Sequence, residues 1–123
     1  MLKTPQQLAE EARKEIVEVQ AAQVRTDLDK GGALPYLLVD VREPHEQAQG
    51  MIPGAVPIPR GVLEMQITKV TQDVNQAVVC YCAGGIRSLF ASQQLKRMGF
   101  TDVKSLAGGF GNWAKTGNPV ARP

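Results

Sequence analysis

Apolar positions along the chain cluster in two long runs and several short ones. Tyr36-Leu37-Leu38-Val39-Asp40-Val41 and Ala77-Val78-Val79-Cys80-Tyr81 are almost continuously apolar over the length of a strand, the pattern expected when a sheet is covered on both faces. The first should lie centrally. Ile16-Val17-Glu18-Val19 and Val103-Lys104-Ser105-Leu106 read as further strands, and Ala55-Val56-Pro57-Ile58-Pro59 as a short or frayed one, because its prolines cannot donate to a ladder. The segments between them have helical character. Thr4, Pro5 and Gln7 form an N-terminal capping signature for a helix over Pro5 to Lys14. A second helix spans Ala21 to Asp29 and stops at Gly31-Gly32, and Glu43-Pro44 opens a helical turn through Gln49. Further helices are expected over Val62 to Lys69 and from Ser88, where Ala91, Leu95 and Met98 recur at helical spacing before Gly99. A short one over Gly108 to Lys115 would pack Trp113 and Phe110 on the core. Alternation of strand and helix predicts an α/β sandwich around a mainly parallel sheet.

Length and composition narrow the class. With 123 residues, 43% hydrophobic and 21% charged, the chain suits one globular domain. The net charge is +2, with no consecutive run of Lys or Arg, so no nucleic-acid partner is expected. The apolar runs are too short to cross a bilayer, and Met1 to Gln7 lacks the apolar core of a signal peptide; no membrane partner and a cytoplasmic location are the expectations. Cys80 and Cys82 are the two cysteines. Two residues apart on one strand, they are badly placed for an unstrained disulfide. With a single histidine, His45, no metal site is expected.

Candidate chemistry concentrates where the strand Ala77 to Tyr81 ends. Ligands of parallel sheets sit beyond the carboxyl ends of strands, where the next helix presents its N-terminus. Cys82 occupies that position, followed by Ala83, Gly84, Gly85 and Ile86, with Arg87 and Ser88 at the helix start. The two glycines allow successive N–H groups to point inward as an anion nest, reinforced by the helix dipole and by Arg87 at the rim. Cys82 is therefore expected to work as a thiolate nucleophile. Free cysteines are more often plain buried packing residues, and Cys80, inside the apolar strand, is assigned to that role. The packing reading of Cys82 leaves its glycines, arginine and strand-to-helix position unexplained.

The segment Tyr81-Cys82-Ala83-Gly84-Gly85-Ile86-Arg87-Ser88 resembles the active-site loop of rhodanese-like sulfurtransferases. Leu38-Val39-Asp40-Val41-Arg42-Glu43 with Glu46, Gly50-Met51-Ile52-Pro53-Gly54-Ala55, and Leu106-Ala107-Gly108-Gly109 with Trp113 and Gly117-Asn118-Pro119-Val120 extend the resemblance in the family's order. It covers residues 16–123, leaving residues 1–15 as an accessory helix. Met51 stands where the family commonly has histidine. The resemblance implies a three-layer sandwich and a sulfurtransferase. Cys82 would take sulfur from a small donor such as thiosulfate, carry it as a persulfide, and pass it to cyanide, a thiol or an acceptor protein, with no cofactor. Arg87 favours an anionic donor, thiosulfate over mercaptopyruvate. The resemblance also implies that Asp40 braces the neighbouring loops and gives Arg42 and Glu46 a scaffold role, with Arg42 near the anionic end of the donor.

On the residues alone, Asp40 at the end of a buried strand needs hydrogen-bond partners. Arg42 and Glu46 are spaced for an ion pair across the following turn, and Ser88 is placed to cap an exposed amide or to orient Arg87. His45, in a polar turn, reads as solvated surface. Two rivals remain. Cysteine-dependent phosphatases and arsenate reductases of related fold share the cysteine, amide loop and arginine; the phosphatase loops have five residues between cysteine and arginine where this one has four, Ala83 to Ile86. A sulfur carrier or interaction module with little turnover is the third reading.

Overall fold

The computed structural model describes residues 1–123. Five strands form one all-parallel sheet in the order β1-β5-β4-β2-β3: β1 Val17–Val19, β2 Leu37–Asp40, β3 Val56–Pro57, β4 Val78–Tyr81 and β5 Val103–Leu106. The expected mainly parallel sheet is thus parallel throughout, and β4 rather than β2 is its middle strand. Six α-helices precede, connect or follow the strands: α1 Pro5–Arg13, α2 Ala21–Asp29, α3 Pro44–Gln47, α4 Leu63–Gln66, α5 Arg87–Met98 and α6 Gly109–Lys115.

Alternating side chains of β4 build the two faces. Val78 and Cys80 join Leu63, Ile67, Ala91 and Leu95 on the side of α4 and α5. Val79 and Tyr81 join Val24, Ile52 and Trp113 on the side of α2 and α6. Covered on both faces, β4 has no polar alternation, which explains its unbroken apolar run. Trp113 is fully buried and donates its indole N–H to the Pro119 carbonyl at 2.7 Å.

At the N-terminus, Thr4 and Gln7 form the predicted capping box. Helix α1 then packs along α5, where Ala9, Ala12 and Ile16 enclose Leu89, with Ile86 and Phe90 at the margin of the cluster. The accessory helix therefore leans on the residues that follow the cysteine loop. The helix expected over Val62 to Lys69 is instead a turn of α-helix flanked by 3-10 segments at Arg60–Val62 and Ile67–Lys69. Gly61 and the β-branched Val62, Ile67, Thr68 and Val70 disfavour a continuous α-helix there.

Candidate active site

Three strand ends meet around Cys82. It follows β4 directly, and the Val41 N–H beyond β2 donates to the Tyr81 carbonyl at 2.9 Å. On the other side, the segment after β5 donates Phe110 N–H to the Cys82 carbonyl at 2.8 Å and Gly111 N–H to the Ala83 carbonyl at 2.9 Å. The base of the loop is held on both sides by backbone.

The Cys82 sulfur receives two amides, from Gly85 N–H at 3.1 Å and Ser88 N–H at 3.4 Å. The second belongs to the first turn of α5, where N–H groups have no partner inside the helix. Together they supply the inward-pointing donors that a charged sulfur needs. Of the two glycines, Gly85 requires its freedom: its φ is +101°, and a β-carbon there would lie 3.2 Å from Gly108 N. Gly84 has an ordinary backbone conformation with open space beside it. Cys82 is only 1% exposed. Ile86 stands at the N-cap of α5.

Ser88 differs from its expected capping role. It is the second residue of α5 and fully buried, with its hydroxyl 2.8 Å from the Ser105 hydroxyl and 3.5 Å from the Cys82 sulfur. It lies beside the Cys82 sulfur and makes no side-chain bond to Arg87.

Glu46 is what orients Arg87. The guanidinium donates Nη1–H to Oε1 at 2.8 Å and Nη2–H to Oε2 at 3.0 Å. Those bonds hold the Glu46 carboxyl down at about 2 against the opposing effect of burial, with further help from the Glu43 N–H and the charges of Arg87 and Arg42. The expected Arg42–Glu46 ion pair is therefore corrected, as each residue takes another partner. Arg42, 4% exposed, forks onto Asp40 at 2.8–3.2 Å and donates to the Gly50 carbonyl at 2.6 Å. Burial works against its charge, but Asp40 outweighs it and holds the guanidinium above its ordinary value. A buried guanidinium needs an equally buried carboxylate, which Asp40 provides at the strand end and Glu46, on the more open α3, does not. Arg42 also lies 4.1 Å over the Phe110 ring. Its guanidinium is thus held against Asp40, the Gly50 carbonyl and the Phe110 ring. Asp40 also accepts the Arg42 backbone N–H at 2.9 Å.

The role of Gly108-Gly109 was absent from the sequence reading. A β-carbon on Gly109, whose φ is +58°, would collide with the Cys82 carbonyl oxygen and lie 2.7 Å from the Ala83 carbonyl oxygen. The residue pair Gly-Gly after a strand was the available signal. His45 is exposed, as expected. Cys80 is free and fully buried, and burial pushes its thiol up to about 12. No group of three His, Cys, Asp or Glu side chains is placed to hold a metal ion. No helix is long and apolar enough to cross a membrane. A cleft of about 420 Å³ bordered by Pro44, Met51, Ile52 and Ala121 includes no residue of the cysteine loop.

An all-parallel α/β domain with a cysteine cradled by amides at the end of its middle strand defines a class of single-cysteine loop domains. The family model described as Rhodanese-like domain matches residues 20–116. The chain belongs to the rhodanese-like family. It is 40% identical over 87 residues to a sulfurtransferase of Allochromatium vinosum, covering 71% of this chain and 79% of that one. It is 36% identical over 92 residues to thiosulfate sulfurtransferase 16, chloroplastic, of Arabidopsis thaliana, covering 67% and 77%. A solved structure from Rhodopseudomonas palustris, described as of unknown function and a "Possible Tyrosine Phosphatase", superposes with a TM-score of 0.84 at 32% identity, covering 98% of this chain and 96% of that one.

Proposed function

We propose that the protein is a sulfurtransferase that moves a sulfane sulfur, from a donor such as thiosulfate, through a persulfide on Cys82 to a thiol or cyanide acceptor. The observation that carries this reading is the convergence of Gly85 N–H and Ser88 N–H on the Cys82 sulfur. In the first step the Cys82 thiolate attacks the outer sulfur of thiosulfate; a new S–S bond forms, the old one breaks, and sulfite leaves with the electron pair. In the second, an acceptor thiolate or cyanide attacks the outer persulfide sulfur, and the Cys82 thiolate departs. The amides stabilise the sulfur anion at both stages without giving it a proton, so no general base is required once the thiol is ionised.

The likeness to the Rhodopseudomonas palustris protein raises a phosphatase as the second reading. A phosphate ester needs the loop arginine for its non-bridging oxygens, whereas both Arg87 amino groups are engaged by Glu46. That engagement favours the sulfur reading. Incubating the protein with thiosulfate and then with cyanide or a thiol tests it. Sulfite should appear first and the acceptor should then gain the sulfur. Turnover of a phosphate ester or arsenate through Cys82, with no sulfite release, would replace the sulfurtransferase reading.

A further inference from the structure

An arginine beside a nucleophilic cysteine ordinarily offers a cation to an anionic substrate, but the mouth of this loop offers little free positive charge. Arg87 is consumed by its two-pronged pair with Glu46. The negative field of Glu43, an exposed side chain, also reaches Arg87. Because the Glu46 carboxyl titrates near 2, the pair is intact throughout the neutral range. Arg42 is buried against Asp40. Arg60, whose field reaches Cys80, is paired with Glu64 at 2.9 Å. The rim therefore carries one guanidinium against two carboxylates.

We propose that Glu46 is a specificity-determining residue: by engaging Arg87, it turns the Cys82 site away from dianionic donors such as thiosulfate and toward persulfides, whose transferable sulfur carries at most one negative charge. The inference rests on the sulfurtransferase reading and names the donor class of that site. Thiosulfate brings two negative charges to a rim with no cation to spare, and must compete with Glu46 for Arg87. A persulfide R–S–SH meets no such demand. The Cys82 thiolate attacks its outer sulfur, a new S–S bond forms as the S–S bond of the donor breaks, and the products are the Cys82 persulfide and the leaving thiolate RS⁻, with atoms and charge balanced. The amides of Gly85 and Ser88 serve this reaction as they serve the other.

The test measures the second-order rate of sulfur addition to Cys82, by quenched intact-mass analysis, with thiosulfate and with the persulfide of 2-mercaptoethanol. The unsubstituted protein, Glu46→Gln and Glu43→Gln are compared. Glu46→Gln keeps the side-chain volume and an oxygen able to accept the Glu43 N–H, now made by Oε1 at 2.9 Å. The ratio of the thiosulfate rate to the persulfide rate should rise about 10-fold in Glu46→Gln, the order expected on removing one charge a few ångströms from a dianion in a water-like medium. In Glu43→Gln it should rise about two- to three-fold, since that carboxylate is exposed and screened. In the unmodified protein, added salt should raise the thiosulfate rate by screening the carboxylates, a readout that needs no variant to fold. An unchanged or lowered ratio in a folded Glu46→Gln protein, or a thiosulfate rate that falls with salt, would overturn the proposal while leaving the persulfide mechanism standing. Failure of both donors to load Cys82 would remove the mechanism itself and the proposal with it.

Discussion

Cys80 and Cys82 are two residues apart on one strand and its extension, and both are almost wholly buried, yet their surroundings prepare them for opposite fates. Cys80 faces the apolar layer between the sheet and α5, where burial drives its thiol up to about 12. Cys82 borders the same layer, but it lies where the strand has ended and the chain curls back. There its sulfur meets the Gly85 amide and the first-turn amide of Ser88. On the proposed reading, burial alone does not separate a reactive thiol from an inert one. The difference lies in which backbone groups are left unpaired nearby, and those exist where a strand stops and a helix begins.

The largest expected effect is on turnover. Cys82→Ser should lower sulfur transfer by at least about 10³-fold, as loss of an enzyme's nucleophile commonly does, while Cys80→Ala should retain transfer; steady-state assays on the two variants check this. Equal losses would dissolve the distinction between the cysteines. Next comes the support beneath the loop. Asp40→Ala leaves the Arg42 charge buried without its partner, at a cost of about 3–5 kcal/mol, to be read as a lower urea midpoint. Gly109→Ala forces the backbone carbonyls of Cys82 and Ala83 away from α6. A displacement on the order of 1 Å in the loop should cost about 10²-fold in turnover, and a crystal structure of the variant would show whether the loop moved.

Smaller effects follow from titration. The Cys80 thiol is raised in the folded state from an ordinary value near 9 to about 12. Its contribution to stability is therefore present below about 9 and lost as pH rises toward about 12. Cys80→Ala should flatten that alkaline decline in chemical unfolding curves. Smallest is the Glu46 term: depressed from 4.5 to about 2, it adds stability above 4.5 that disappears as pH falls toward 2. With the pair partly open to solvent, its worth is at most about 1 kcal/mol, and Glu46→Gln should remove the difference between neutral and acid melting temperatures that it produces.

Local signals carried much of this arrangement. The spans of α2 and β5, the capping box of α1 and the position of Cys82 between β4 and α5 all follow from short stretches of sequence. The partners of charged groups do not. Arg42 and Glu46 are spaced to meet each other, but Glu46 binds Arg87 across 41 residues, a choice made by how α3 and α5 approach over the sheet. Ser88 looked like a surface cap because its burial depends on Ser105 from a neighbouring strand. Gly108-Gly109 reads as the start of a short helix, and nothing local reveals that Gly109 presses against the Cys82 carbonyl. β3 shrank to two residues for a reason visible beforehand, its prolines.

The most direct test of the central claim is peptide-level mass spectrometry of the protein after reaction with a sulfane-sulfur donor, with fragmentation that separates Cys80 from Cys82. One added sulfur atom on Cys82, none on Cys80, and its loss on addition of an acceptor thiol is the predicted result. Sulfur on Cys80, or on both cysteines alike, would contradict the account that the amide-lined loop selects the nucleophile.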